Sequence, residues 1–394
     1  MLWLCQLSED RNIAFGITIT PVRDFPRELY YSRARGLGQS LYPNTPLNPE
    51  TKPEIEKIYK NLADLGIKVA HHYTNFGPEL FSNIRFYDEE QLNKVRGVNK
   101  LARKYGLINV FYCGFALPPG IPHNEVFGNE MRMEPEFRGW YNHASPYMDY
   151  FLHSAKFMHE NTFVDAFHTD GLNIPWLMSN PTYNYSWTRN GEKHGTYPIF
   201  AVRELFKRFY TMLKFELPDG LEGYHMPHVN DAPVYCIEGF SDMDVTGEQH
   251  YTTISKLEDL SLTRYSIVYN SLEQGVPRMG IWHHTNDIPV TKNTMLTMHN
   301  LHGTLLRYDN VTHNNTAYEA MGGYRSEIQM WQSFDRRTAD FLPYWQYPNL
   351  LEVTSDIKGV DLPKDAIKAS AYVHKDKGRA IIILANLDLV GYSL

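Results

Sequence analysis

The chain has 394 residues, 43% hydrophobic and 21% charged, the balance of an ordinary globular protein with material for a large core. Its net charge of −7 leaves no basic surplus for nucleic acid or an anionic membrane, and no apolar run reaches the roughly 18 residues of a membrane span. Cys5, Cys113 and Cys236 are widely spaced with no CxxC pair, so neither a disulfide framework nor a zinc site is expected.

In chain order, AFGITIT (14–20) reads as a first strand stopped by Pro21. A helix over 53–66 follows, with Pro at its start, Gly at its stop and apolar residues at helical spacing. IKVAHHY (67–73) is the second strand, 89–106 a helix closing on Gly106, and LINVFYC (107–113) the third strand. A helix over 146–161 leads into the fourth strand, FVDAFHTDG (163–171), and a long helix spans 198–217. EGYHMP (222–227) and PVYCIEG (233–239) read as the fifth and sixth strands, with little chain between them. A helix over 254–275, the strand VPRMGIWHH (276–284) and two helical stretches within 291–309 and 326–340 complete the series.

Repeated strand–helix units imply parallel strands with helical crossovers, and this many units favour a (β/α)8 TIM-type barrel over a doubly wound sheet. No GxGxxG or GxxxxGKS sequence opens a helix, which weakens dinucleotide and P-loop readings. Beyond residue 345 the segments LLEVTSD, AIKASAYVHK and RAIIILANLD alternate as β structure. The expected organisation is therefore a barrel over 1–345 and the start of a C-terminal antiparallel β domain over 346–394. The opening MLWLCQLSEDRN lacks the basic flank and cleavage site of a signal peptide. That suggests a cytoplasmic chain, or a secreted or periplasmic one with its leader upstream. The stop at NLDLVGYSL, just after a strand-like IIILAN, suggests a fragment.

Barrels of this kind carry function at the C-terminal ends of their strands. The first strand offers Arg23, the second His71, His72 and Tyr73, and the fourth His168, Asp170 and Asn173. The fifth offers His225, the sixth Glu238, Asp242, Asp244 and Glu248, and the seventh Trp282 and His283. Asp170 is the sharpest choice, because FVDAFHTDGLN runs from an apolar strand into a polar tip and Gly171 lets the backbone turn beside the carboxylate. For the second carboxylate, Glu238 stands at the immediate strand end and Glu248 ten residues further on.

Tyr, Phe and Trp make up 14% of the chain. Sugars present flat C–H faces edged with hydroxyls, and aromatic rings suit them, so Tyr73, Trp187 and Trp282 are candidate platforms. His71, His72, His168, His225 and His283, with Arg23, Asn173 and Asp244, are candidate hydroxyl or carboxylate contacts. Adjacent residues on a strand point to opposite faces, so each HH pair offers at most one inward metal ligand, and neither metal nor cofactor is expected.

From HTDGLN through NPTYNYSWTRNGEKHGTYPIFAVRELFKRFYTMLK, the sequence resembles a glycoside hydrolase-like barrel family related to glycoside hydrolase family 123. The matching residues are Asp170, Asn180-Pro181, Arg189-Asn190-Gly191, Thr196 to Ile199 and Arg203-Glu204. TPVRDFP resembles the family's first strand and loop, and VTGEQHY resembles its GEQ segment, which points to Glu248. The resemblance implies a barrel with accessory β domains and activity on glycosidic bonds, and supplies no substrate. Family 123 enzymes that act through the substrate's acetamido group pair Asp with an adjacent Glu; here Asp170 is followed by Gly171, so that mechanism is not implied.

The reading that results is hydrolysis of an oligo- or polysaccharide by Asp170 with Glu248, Glu238 in reserve. A polysaccharide lyase would release an unsaturated, ultraviolet-absorbing product instead. A metal-dependent barrel hydrolase would lose activity to chelators, and a non-catalytic carbohydrate-binding barrel would turn over nothing. Oligomeric state is not legible.

Overall fold

A computed structural model describes residues 17–32, 35–38, 52–72, 89–114, 143–170, 186–225, 234–246, 262–280, 292–306, 322–352 and 367–386. Within them eight strands form one parallel sheet. In spatial order these are β1 (Arg35–Gly38), β2 (Val69–His72), β3 (Ile108–Gly114), β4 (Ala166–Asp170), β7 (Leu221–His225), β8 (Met243–Thr246), β9 (Arg278–Gly280) and β10 (Leu305–Leu306). Spatial order follows chain order, the topology of a curled sheet of barrel type. Among the described residues no pairing joins β10 back to β1. The gap in strand numbering is a two-stranded hairpin of its own, β5 (Ser186–Arg189) and β6 (Glu192–Gly195).

The strands are buried on both faces, and the two faces differ in what covers them. On one face Val69, Val110, Ala166 and Leu221 from four neighbouring strands form a cluster, with Ile108 packed against it. On the other, Phe111, Phe167 and Tyr224 pack against α3 (Glu89–Lys104), α4 (Tyr147–Thr162) and α5 (Ile199–Glu216). Period-two alternation therefore puts Ala166 and His168 on the concave side and Phe167 on the helix side. Phe167 meets Phe209 of α5 edge-on at 5.4 Å.

The crossover helices begin and end where the sequence requires. Pro146 and Pro198 precede α4 and α5, where a missing N–H costs nothing. α2 (Lys52–Asp64) is followed by Gly66 at φ 77°, and α3 by Gly106 at φ 68°. Both helices present apolar residues inward, among them Leu62 and Val95.

Three expected elements differ. Residues 17–20 are not strand, with Ile17 and Ile19 exposed, and the first described strand is β1. The segment PVYCIEG is not a strand either: Tyr235–Glu238 forms a short helical turn, α6, and the sheet's next strand is MDVT, β8. This resolves the unusually short link between the fifth and sixth strands, because α6 is the crossover. The single helix expected over 254–275 is, in its described part, two pieces, α7 (Leu262–Tyr269) and α8 (Ser271–Gln274), parted at Asn270, whose side chain caps α8.

The strands' N-terminal ends are covered by α1 (Arg27–Ser32). Tyr30 and Tyr31 pack there against Met243, Met279 and Leu305. The Tyr30 hydroxyl accepts from the Leu305 amide at 2.7 Å and donates to the Arg278 carbonyl, tying β9 to β10. After α9 (Lys292–Leu301) and α10 (Gly322–Phe334) comes a three-stranded antiparallel sheet of β11 (Asp340–Leu342), β12 (Ile367–His374) and β13 (Arg379–Asn386). It starts at Asp340, a few residues before the expected boundary. It is fastened to α9 by bonds from Ser370 Oγ to the Leu301 carbonyl (2.7 Å) and from the Tyr372 hydroxyl to the Asn300 carbonyl (3.0 Å).

Candidate functional site

Asp170 is the last residue of β4, near the middle of the parallel sheet. Its register partner on β3 is Gly114, the last residue of that strand. On the other side Thr169 pairs with Tyr224, which brings His225, the last residue of β7, level with Asp170. His71 and His72 close β2 on the same C-terminal edge, with His72 in register with Phe111. Four residues drawn from three distant parts of the sequence thus share one edge. His168, two positions before Asp170 on the same strand face, is fully buried among the concave-side residues. It can act on a ligand only from beneath Asp170, as part of the floor.

Trp187 stands in the chain between this edge and α5. The β5–β6 hairpin follows β4 and precedes α5, so it is part of the loop at the C-terminal end of β4. Its turn is Asn190-Gly191, with φ of 53° and 81°, the left-handed pair that a two-residue hairpin of matching twist requires. Trp187 is in register with His194, and their rings stack at 4.4 Å and 23°. Trp187 stays 44% exposed while one face of its ring stacks on the imidazole. Reasoning from strand ends passes over His194, although the Asn-Gly turn between SWTR and EKHG already pairs position 187 with position 194.

Three expected contacts lie elsewhere. Arg23 donates to the Tyr210 hydroxyl at 3.2 Å and to the Ser241 carbonyl, just ahead of β8. The preceding Val22 amide bonds the Gln274 carbonyl at 3.0 Å, just ahead of β9. Arg23 therefore fastens the N-terminal ends of strands and sits away from the edge that carries Asp170. Asp244 is in register with Tyr224, whose ring packs on Phe206 of α5 at 4.8 Å, so it faces the helices and not the concave side. Glu238, on α6, precedes β8 instead of ending a strand.

Glu238 and Asp244 are joined by Arg278, and all three side chains are 0% exposed. Arg278 Nη2 donates to Glu238, Arg278 Nε donates to Asp244 Oδ2 at 3.2 Å, and the Val234 amide donates to Glu238 at 3.0 Å. Burial raises the Glu238 carboxyl, with Arg278 opposing. Burial first, then the charge of Glu238, raises the Asp244 carboxyl well above its ordinary value, again with Arg278 opposing. The trio is a closed ionic cluster between sheet and helices, with no access for a polymer. The neighbouring Asp242 pairs with Lys214 at 2.7 Å.

Tyr73, Asn173, Glu248, Trp282 and His283 lie outside the described residues. Among the described residues no three His, Cys, Asp or Glu side chains converge as metal ligands, and no helix is long and apolar enough to cross a membrane.

No family model matches the sequence, and no curated protein matches it. Solved structures do match. The chain is similar to a noncanonic maltogenic alpha-amylase from Thermotoga neapolitana, with TM-score 0.57 and 10% identity over 91% of this chain and 86% of that one. It is similar to an alpha-amylase from Geobacillus thermoleovorans, solved with acarbose, with TM-score 0.52 and 11% identity over 88% and 85%. A GH36 alpha-galactosidase from Geobacillus stearothermophilus, solved with stachyose, gives TM-score 0.56 and 11% identity over 90% of this chain. The match spans only 50% of that longer enzyme. At such identities the likeness shows the fold alone: a parallel α/β sheet of the kind that barrel glycosidases use, without singling out family 123.

Proposed function

We propose that the chain is a glycoside hydrolase, its sheet closing into a full (β/α)8 barrel whose C-terminal mouth holds an oligo- or polysaccharide. The observation that carries this reading is Asp170, an acid that ends the central strand β4 on the concave-side register of Ala166 and His168. In barrel enzymes the mouth is where the reacting groups stand. The amylase and alpha-galactosidase likenesses support the same scaffold and leave the sugar open.

Glycosidic cleavage needs one acid to protonate the leaving oxygen and a second carboxylate to attack the anomeric carbon or activate water. In this proposal Asp170 is one member and Glu248 the other. Glu238 is withdrawn from the reserve role, since a carboxylate sealed against Arg278 cannot reach a sugar. His71 and His225, on the concave-side register of Val69 and Leu221, offer hydroxyl contacts at the scissile bond, and Trp187 offers a platform for a sugar ring beyond it. His72, in register with the helix-side Phe111, is withdrawn from the contacts.

The test is reducing-end release from a panel of α- and β-linked oligosaccharides. Wild-type protein is expected to cleave at least one. Asp170→Asn and Glu248→Gln are each expected to lower kcat by about 10³-fold or more, with circular dichroism unchanged. Full activity of Asp170→Asn on the cleaved substrate would remove the residue from the mechanism. An ultraviolet-absorbing product would replace hydrolysis with a lyase reaction.

A further inference from the structure

The end of the sheet opposite Asp170 contains a cavity of about 380 Å³. Lys68, which directly precedes β2, and Leu305, which opens β10, both line it, so it lies at the strands' N-terminal ends. Its outer wall is the last turn of α10 and the residues just after it.

Charge is unevenly distributed around this cavity. Lys68, Arg336 and Arg337 line it, against one carboxylate, Asp335. That carboxylate is already engaged: Arg337 donates to it twice, at 2.6 and 3.1 Å, and these bonds hold it below its ordinary value. Arg336 is 5% exposed and clamped between two rings, its guanidinium carbon 4.5 Å from the Tyr31 centroid and 4.4 Å from that of Trp331. Arg336 also donates to Asn300 at 3.2 Å. Of the other nearby acids, Glu327 accepts from Asn300 and Trp331, and Glu28 faces Arg337. Among the described lining residues three cations thus meet one carboxylate in a chain of net charge −7: Arg337 is paired with Asp335, and Lys68 and the packing-oriented Arg336 are the surplus. Guanidinium forks and ammonium groups at such a spot suit tetrahedral oxyanions.

We infer that this cavity is a binding site for a small oxyanion, a phosphate or sulfate group, held by Lys68, Arg336 and Arg337. The site is separate from the hydrolase reading, because it lies at the other end of the strands and needs no turnover to be detected.

Inorganic phosphate and, separately, sulfate are titrated into the full chain by calorimetry and by tryptophan fluorescence, which Trp331 in the wall should report. Ionic strength is held constant with chloride. The expected result is saturable one-site binding with Kd at or below about 10 mM. Lys68→Gln combined with Arg337→Gln is expected to weaken it about tenfold or more. Lys68→Glu is a second variant, at an exposed position outside the Asp335–Arg337 pair, and is expected to weaken binding as strongly. Asp170→Asn is expected to bind the anion as wild type does. Failure to saturate, unaltered binding by either Lys68 variant, or loss of binding in Asp170→Asn would overturn the assignment.

Discussion

Arg278 faces two carboxylates in a place without solvent, and its removal would leave both without the cation that opposes their burial. Breaking one partner out of a buried ionic cluster costs far more than the cluster contributes as a whole. Arg278→Met is therefore expected to lower unfolding stability by about 3–5 kcal/mol, read as a shift of the urea midpoint. If the midpoint stays where it was, the cluster is not what holds α6, β8 and β9 together. His302 makes a different residue-scale argument. It is buried just after α9 between Tyr265 of α7 and the Tyr344-Trp345 segment, stacked on Trp345 at 5.5 Å, and burial lowers its pKa to about 4. A histidine depressed in the folded state contributes stability that is complete above its unfolded value near 6.5. That contribution is lost as pH falls towards 4. Between pH 7.5 and 5 the loss is about 2 kcal/mol for this one group. Denaturant unfolding at the two pH values is expected to show a smaller difference in His302→Asn than in wild type by about that amount. Equal differences in the two proteins would mean that His302 does not titrate in this window. The raised carboxyls of Glu238 and Asp244 act with the opposite sign, so the variant comparison, and not the raw pH profile, isolates the histidine.

Elements come together here through a few close approaches. Gly280, the last residue of β9, lies directly under the His299 ring of α9, and a Cβ built on it would fall inside the imidazole. His299 cannot yield easily: it is 1% exposed and held edge-on by Tyr265 at 5.5 Å and Tyr269 at 4.9 Å. Gly280→Ala is expected to cost about 1–3 kcal/mol through overpacking, seen as a lower thermal midpoint. An unchanged midpoint would mean that α9 sits further from β9 than the structure has it. Strands β2, β3 and β4 were legible as short apolar runs between helices, because burial on both faces favours continuous Val, Ile, Phe and Tyr, and β7 and β9 overlap segments also read as strands. MDVT was not legible. It is four residues long and contains an acid, which pairs in the interior with the distant Arg278. PVYCIEG misled for the converse reason: its β-rich composition suits a strand, yet Val234 bonds forward to Glu238 and closes a helical turn. Asp170 and His225 could be placed on one edge from strand ends alone. Arg23 could not, since what positions it is Tyr210 and the Ser241 carbonyl, both about two hundred residues away.

At the scale of the whole molecule the two ends of the sheet divide the work. The N-terminal end is covered by α1, braced by Tyr30 and Arg23, and carries the cationic cavity. The C-terminal end carries Asp170, His71, His72, His225 and the loop hairpin of Trp187. The antiparallel sheet joins the α9–α10 side through Ser370, Tyr372 and the Trp331–Phe334 cluster, leaving the β4–β7 edge where Asp170 stands to the strand-end loops. In the proposed hydrolase Asp170 and a second acid meet across a sugar at that edge. Crystals soaked with the oligosaccharide that the wild type cleaves, using the inactive Asp170→Asn protein, test it most directly. The expected result is a sugar ring seated between residue 170 and Glu248, their carboxyl positions about 5–9.5 Å apart across the glycosidic bond. A sugar bound away from β4, or residue 170 with no other acid within that span, would contradict it.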